Sequence, residues 1–313
     1  MPDNPSTPDR REVLKRTAAA SAAVLGAGGT AGAAAAAEKP KLPQIALGKV
    51  AISRLVCGSN PFNGGSHLST FVNREMKAYY TDEQILKTLR RCRQVGITCW
   101  QISGGNADLF KRFTDAGLGM HGIVIASGSP AGIKTFASAG CIGIAHHGET
   151  TDRLFKSGKI EPIGDYLKRT RDAGLLAGVS THMPDAVDAI ESKGWHVDYY
   201  MTCVYERHRS AEALKKLLGR VPLPPREVYL AEDPARMFKV VRRTRRPCLA
   251  FKILAAGRLS DRRPWVQEAY RQTFAGIKPT DGIIVGIYDR YSDQAAEGAR
   301  LTLRYGTPPA VRT

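Results

Sequence analysis

The chain has 313 residues, 43% of them apolar, enough for one large domain or two ordinary ones around a substantial core. Its formal charge of +17 favours acidic partners in general, yet the basic residues are scattered over helical patterns such as "LRRCR", "LKRTR" and "VVRRTRRP". They are not interleaved with aromatics and form no nucleic-acid module, so no nucleic-acid partner is expected.

In chain order, "DRREVLKR" (Asp9 to Arg16) comes first, followed by the Ala/Gly-rich run "TAAASAAVLGAGGTAGAAAAAEKP". Arg10 and Arg11, with Val13, Leu14 and Lys15 downstream, resemble a twin-arginine (Tat) export signal. Asp9 stands for the usual Ser or Thr, and Val13 for the usual Phe. The run is too Gly-rich for a good membrane span, and small residues around Ala33 to Ala37 suit a signal peptidase. The resemblance implies a Tat signal peptide over residues 1–37, passage through the Tat translocon and no stable membrane anchor. The mature protein is then expected in the periplasm or secreted. The six cysteines are far apart and lack a CxxC, so they read as small apolar residues, not as a disulfide framework.

After a lead-in over 38–50, eight apolar runs follow: "AISRLVCG", "ITCWQIS", "GIVIAS", "CIGIAHH", "LLAGVSTH", "VDYYMTCVY", "PCLAFKIL" and "GIIVGIY". They alternate with amphipathic patterns such as "TDEQILKTLRRCRQVG" and "SDQAAEGARLTLRYG", which open on N-capping residues and stop at Gly. Short, nearly continuous apolar strands, each followed by a helix, predict an α/β fold, a single-domain (β/α)8 barrel over 51–306 with a tail at 307–313. The rival, an open doubly wound sheet, lacks a GxGxxG after its first strand. One connection, Glu206 to Arg246, is long.

Barrel chemistry sits at the carboxyl ends of the strands. There the chain offers Asn60 and Asn63 in the loop "NPFNGGSHLS", then Gln101, Asn106, His146, His147, Glu149, His182, Glu206, His208 and Lys252. Asn60, Asn63, Gln101, Asn106 and Lys252 read as contacts for a small hydroxylated substrate. Lys252 serves such a ligand as a cation, or a carbonyl substrate as a Schiff-base amine. His146, His147, Glu149, His182 and Glu206 read as acid–base groups. His147, His182, Glu206 and His208 could instead converge on a divalent metal, although no HxH or HExxH spacing is present. Since successive strand residues point oppositely, at most one of His146 and His147 should face the mouth while the strand continues.

The order of these pieces resembles the aldo/keto reductase barrel over Leu47 to Tyr305. "LGKVAISRLVCGSNPF" is similar to that family's opening, "LRRCRQVGITCWQISGGN" to its second-strand segment, and "CLAFKILAAGRL" and "VGIYDRYSDQAAEG" to its last two strands. The resemblance implies NAD(P) binding, with Arg290 as a phosphate contact, and a catalytic Asp, Tyr, Lys and His. Only a histidine, His146 or His147, is kept. Gln101 replaces the Asp, "SGGNADL" has no Tyr, and Ser127 replaces the Lys. The expectation is therefore an exported barrel enzyme with acid–base, or metal-assisted, chemistry on a small carbohydrate-like substrate: isomerisation, epimerisation or lyase chemistry. A divergent NAD(P)-dependent oxidoreductase and a non-catalytic periplasmic binding protein are the alternatives.

Overall fold

A computed structural model describes residues 41–308 except Gly128 and Arg226; the expected export segment, residues 1–37, lies outside the described residues. An antiparallel hairpin, β1 (Gln44–Leu47) and β2 (Val50–Ser53), leads into eight parallel strands. These are β3 (Leu55–Gly58), β4 (Cys99–Ser103), β5 (His121–Ala126), β6 (Gly143–His146), β7 (Leu176–Thr181), β8 (Tyr199–Cys203), β9 (Cys248–Phe251) and β10 (Gly282–Gly286). They pair in chain order and close into a barrel where β10 meets β3, with Ile283 opposite Leu55 and Val285 opposite Cys57. Each of the eight apolar runs supplies one barrel strand, and eleven α-helices are present among the described residues. The predicted (β/α)8 barrel is the fold.

The first apolar run is divided in two. "AISRLVCG" is not one strand: its first half is β2 and its second half is β3. The break falls at Arg54, which is 3% exposed yet fully engaged. Its Nε donates to the Asp281 carbonyl at 2.8 Å, Nη2 to the Lys278 carbonyl at 3.0 Å, and Nη1 to the Gly306 carbonyl. Beside it, Ser53 and Thr98 exchange two hydrogen bonds, 2.8 and 3.0 Å long. A buried cation needs such partners, and they pin the hairpin under the barrel.

The hairpin's Ile45, Leu47 and Ile52 join Val56, Ile123, Tyr199, Met201 and Leu249 in one apolar cluster inside the barrel. Each fully buried side chain of this size contributes about 1.5–3 kcal/mol. Gly178 makes room for the Tyr199 ring, since a Cβ there would lie 2.5 Å from the ring carbon bearing the hydroxyl. Outside, the helices turn apolar stripes inward: Asp82–Gln94 buries Ile85, Leu89 and Cys92, one turn apart. Its predicted cap is present, with Thr81 Oγ1 accepting from the Gln84 amide at 3.2 Å. All six cysteines are buried and free. With the amino end plugged by the hairpin, the carboxyl ends of the strands are where a cavity opens.

Candidate active site

That cavity has a volume of about 570 Å³. Its mouth is lined by Asn60, His67, Gln101, Ser103, His147, Glu149, His182, Arg207 and Lys252, and a less polar arm runs past Val266, Tyr270 and Tyr288. A concave, partly apolar space of this size with several polar side chains turned into it has the general form of a small-molecule site.

His182, the residue after β7, lines the cavity and is 5% exposed. Its Nδ1 is 2.7 Å from Asp152 Oδ2. Asp152 comes from the helix Gly148–Lys156, one turn after Glu149, and is itself 3% exposed. The carboxylate also accepts from Thr181 Oγ1 at 2.5 Å and from the His182 amide at 3.2 Å. Burial alone would raise the Asp152 carboxyl, but these hydrogen bonds and His182 hold it below its ordinary range. An ionised Asp152 fixes the imidazole proton on Nδ1 and leaves the Nε2 lone pair free. Burial, with Arg207 and Lys252, pushes His182 below the usual histidine value despite Asp152, so it is a neutral base at pH 7. The approach of helix to ring depends on Gly148, where a Cβ would lie 3.0 Å from both His182 Cε1 and Ser180 Oγ.

A chain of charged contacts runs round the rim. Arg207, 4% exposed, is clamped between Glu149 and Glu227. Glu227 reaches on to His67 Nδ1 at 3.2 Å, and Glu149 to His208 Nε2 at 3.6 Å. The His208 ring meets His182 edge to face at 5.4 Å between centroids. Burial and nearby cations push His67 down to about 3, and burial with Arg207 pushes His208 down to about 4. Burial would raise Glu149, but Arg207 pulls it below its usual range. The rim therefore holds neutral imidazoles and an ionised Glu149 around a fixed guanidinium.

Lys252 follows β9 directly and is half-buried in the cavity. Among the described residues its amine forms no hydrogen bond or ion pair. Burial, with Arg207 and Arg258 nearby, brings its pKa down to about 8. Its backbone is in the left-handed region at φ 59°, as are His67 (58°), Glu227 (57°), Ala255 (47°) and Ala256 (52°). Such a conformation costs a non-glycine residue about 1–2 kcal/mol. All five lie beyond carboxyl strand ends, and strain of this kind collects at functional sites.

The expected site residues separate clearly. His147, Glu149, His182, Asn60, Gln101 and Lys252 line the cavity. His146 does not: its Nδ1 is 2.7 Å from Thr151 Oγ1 and its ring packs on Tyr166 in the helical layer. This is the period-two alternation, with β6 ending at His146 and His147 turning inward. Asn63 and Asn106 bond each other at 3.1 Å, and Asn63 also reaches Ser59 and Ser103, so both brace the first loop outside the lining. Glu206 turns away to Arg209 and Arg236. Sequence reasoning missed Asp152, Arg207 and Glu227. Asp152 had a signal, three residues after Glu149 on one helix face; the other two lie in irregular loop, where no periodicity marks a direction.

The four expected metal ligands do not form a set. His182 Nδ1 is committed to Asp152, Glu206 holds two arginines, and among the described residues no three His, Cys, Asp or Glu side chains converge on one point. The expected nicotinamide contact is also elsewhere: Arg290 pairs with Glu75 at 3.2 Å and lies over Tyr79 and Tyr291. Ser127 bonds Thr150, and Gln101 donates to the carbonyl of Ile102, so the reductase's acid set is not assembled. No step through a metal or a nicotinamide follows from these residues.

No family model matches this chain, nor does any curated protein. Among solved structures, a truncated 3-deoxy-D-arabino-heptulosonate 7-phosphate synthase from Thermotoga maritima is 12% identical, with a TM-score of 0.51 over 85% of this chain and 91% of that one. A glycerol dehydrogenase from Gluconobacter oxydans is 12% identical with a TM-score of 0.47, covering 87% of this chain and 98% of that one. A 3-keto-L-gulonate-6-phosphate decarboxylase from Vibrio cholerae is 12% identical with a TM-score of 0.46, covering 72% and 94%. Likeness at this level shows the barrel fold alone, and the aldo/keto reductase relationship remains a resemblance of sequence segments.

Proposed function

We propose that this protein is an enzyme that moves a proton beside the carbonyl group of a small hydroxylated, carbohydrate-like substrate, as isomerases, epimerases and lyases do. The observation that carries this reading is the buried Asp152–His182 pair, with one ring nitrogen committed and the other free in a polar cavity. A carbon-bound hydrogen next to a carbonyl is weakly acidic, so its removal needs a positioned base and a cation near the developing enolate oxygen. His182 is the base, and Lys252, when protonated, is the cation. Asn60, Gln101 and Ser103 suit substrate hydroxyls, and the Arg207 clamp holds Glu149 at the rim.

Hydrogen exchange tests this whichever product forms. A panel of three- to six-carbon aldoses, ketoses and keto acids is incubated with the protein in deuterium oxide, and exchange at the carbon beside the carbonyl is followed by NMR. At least one member is expected to exchange, with a loss of about 100-fold or more in His182→Ala and a smaller loss in Asp152→Asn. Exchange unchanged in His182→Ala, in a variant with wild-type circular dichroism, would overturn the reading.

A further inference from the structure

We infer that Lys252 is a covalent catalyst, forming an imine with a substrate aldehyde or ketone inside the cavity. This rests on the proton-transfer reading of the same site and deepens it by naming the substrate's reactive group. Three observations lead to it. The side chain follows β9 at the carboxyl end of the barrel and lines the cavity that His182 lines. Whereas Arg207 is paired twice and His182 is tied to Asp152, the Lys252 amine has no hydrogen bond or ion pair among the described residues. The backbone at Lys252 and at Ala255 and Ala256 just after it is held in the left-handed region, so that turn is kept in a costly shape that aims this side chain.

The surroundings that make Lys252 a cation when protonated also equip its unprotonated form as a nucleophile. Burial, Arg207 and Arg258 lower the Lys252 amine, Cys203 and Glu149 raise it, and the lowering side prevails. With the amine brought down to about 8, a useful fraction is unprotonated near neutral pH, unlike a surface lysine. Lys252 and His182 line the same cavity, and the lysine is near enough for its charge to lower the imidazole.

The step balances without a further reactant. The Nζ lone pair forms the N–C bond as the carbonyl π pair moves to oxygen. One N–H proton passes by way of His182 Nε2 to that oxygen, giving the carbinolamine. The remaining N–H proton then passes through His182 to the hydroxyl, the C–O bond breaks, and water leaves as the C=N bond forms. The imine, when protonated, withdraws electrons from the neighbouring carbon more strongly than the carbonyl did, so the proton that His182 removes becomes more acidic.

The experiment is reductive trapping. The full-length protein is mixed at pH 7.5 with dihydroxyacetone, or with pyruvate as a charged comparator, and sodium borohydride is added. Intact mass and peptide mapping locate the adduct. One adduct per chain, on the peptide containing Lys252 and absent from Lys252→Met and Lys252→Arg, is the expected result. Adducts spread over surface lysines, or none above the level seen in Lys252→Met, overturn the inference. Mapping on the wild-type protein keeps the test decisive even if one variant folds poorly. The two readings separate cleanly. Exchange that needs His182 without an adduct at Lys252 leaves proton transfer standing and sinks the imine. An adduct at Lys252 with exchange indifferent to His182 does the reverse.

Discussion

The two ends of this barrel handle buried charge in opposite ways. At the amino end, Arg54 donates to three backbone carbonyls, its guanidinium lies over Phe274 at 4.9 Å, and Asp281 accepts the amides of Cys248 and Lys278. The apolar hairpin closes this end, and no side chain of this group is left waiting for a partner. At the carboxyl end, Lys252 has no partner among the described residues, His182 keeps one nitrogen free, and the Nε atom of Arg207 is buried without a hydrogen bond. Satisfied polar groups stabilise a fold, whereas groups held ready but unsatisfied cost stability and serve chemistry. Under the proposed function, the contrast separates polar residues that hold the fold from polar residues held ready for chemistry.

The largest effect should come from removing one cation at each end, the buried Arg54 and the half-buried Lys252. Arg54→Met leaves three buried carbonyls without their donor, while Asp281 keeps Lys278 at 3.1 Å, and should destabilise by about 3–5 kcal/mol. Lys252→Met should do the opposite. The unfolded lysine titrates near 10.5 and the folded one at about 8, so below pH 8 the folded state carries the full penalty of a depressed pKa. At pH 7 the variant should gain up to about 3 kcal/mol, less where cavity water screens the charge, and the gain should shrink as pH rises from 8 toward 10.5. Urea unfolding at pH 7 and pH 10 measures both. If Lys252→Met destabilised as Arg54→Met does, the difference between the ends would disappear.

A smaller effect concerns acid. His67, pushed down to about 3, and His208, pushed down to about 4, stay neutral in the fold while the unfolded chain binds protons at the usual histidine value of 6.5. Between 6.5 and 4 the unfolded state therefore holds more protons, and stability should fall as pH falls through that window. His146, also down to about 4 through burial, adds to the slope from outside the cavity. The double variant His67→Asn, His208→Asn should flatten part of the fall. An unchanged pH slope would show that these imidazoles are charged in the folded protein.

How much of this was legible in the sequence follows the same division. Strands announce themselves by continuous apolar runs, because a parallel strand covered by helices is buried on both faces, and so all eight were readable. The hairpin was not, because "AISRLVCG" is apolar on both sides of Arg54 and composition alone hides a buried arginine. At the mouth, strand-end residues such as His182 and Lys252 could be placed by topology. In "VYERHR", however, loop conformation and not periodicity turns Arg207 inward and Glu206 outward. The sequence marked both as charged and could not say which one would lose its water.

The smallest effect tests whether the strain at the mouth is genuine. At the amino end the hairpin turn uses Gly48 at φ 60°, where glycine carries no steric penalty. At the carboxyl end a nearly equal angle, 52°, is held by Ala256, which lines the cavity. Replacing Ala256 by glycine relieves about 1–2 kcal/mol of steric cost in the folded state and gives back part of it as unfolded-chain entropy. The net expectation is a stabilisation of about 0.5–1 kcal/mol in urea unfolding, together with weaker borohydride trapping at Lys252, because the relaxed turn no longer fixes the side chain's direction. A glycine variant that was less stable than wild type would mean that the alanine methyl is held by packing worth more than its strain. The turn at the mouth would then be an ordinary structural element, like the one that Gly48 makes at the other end.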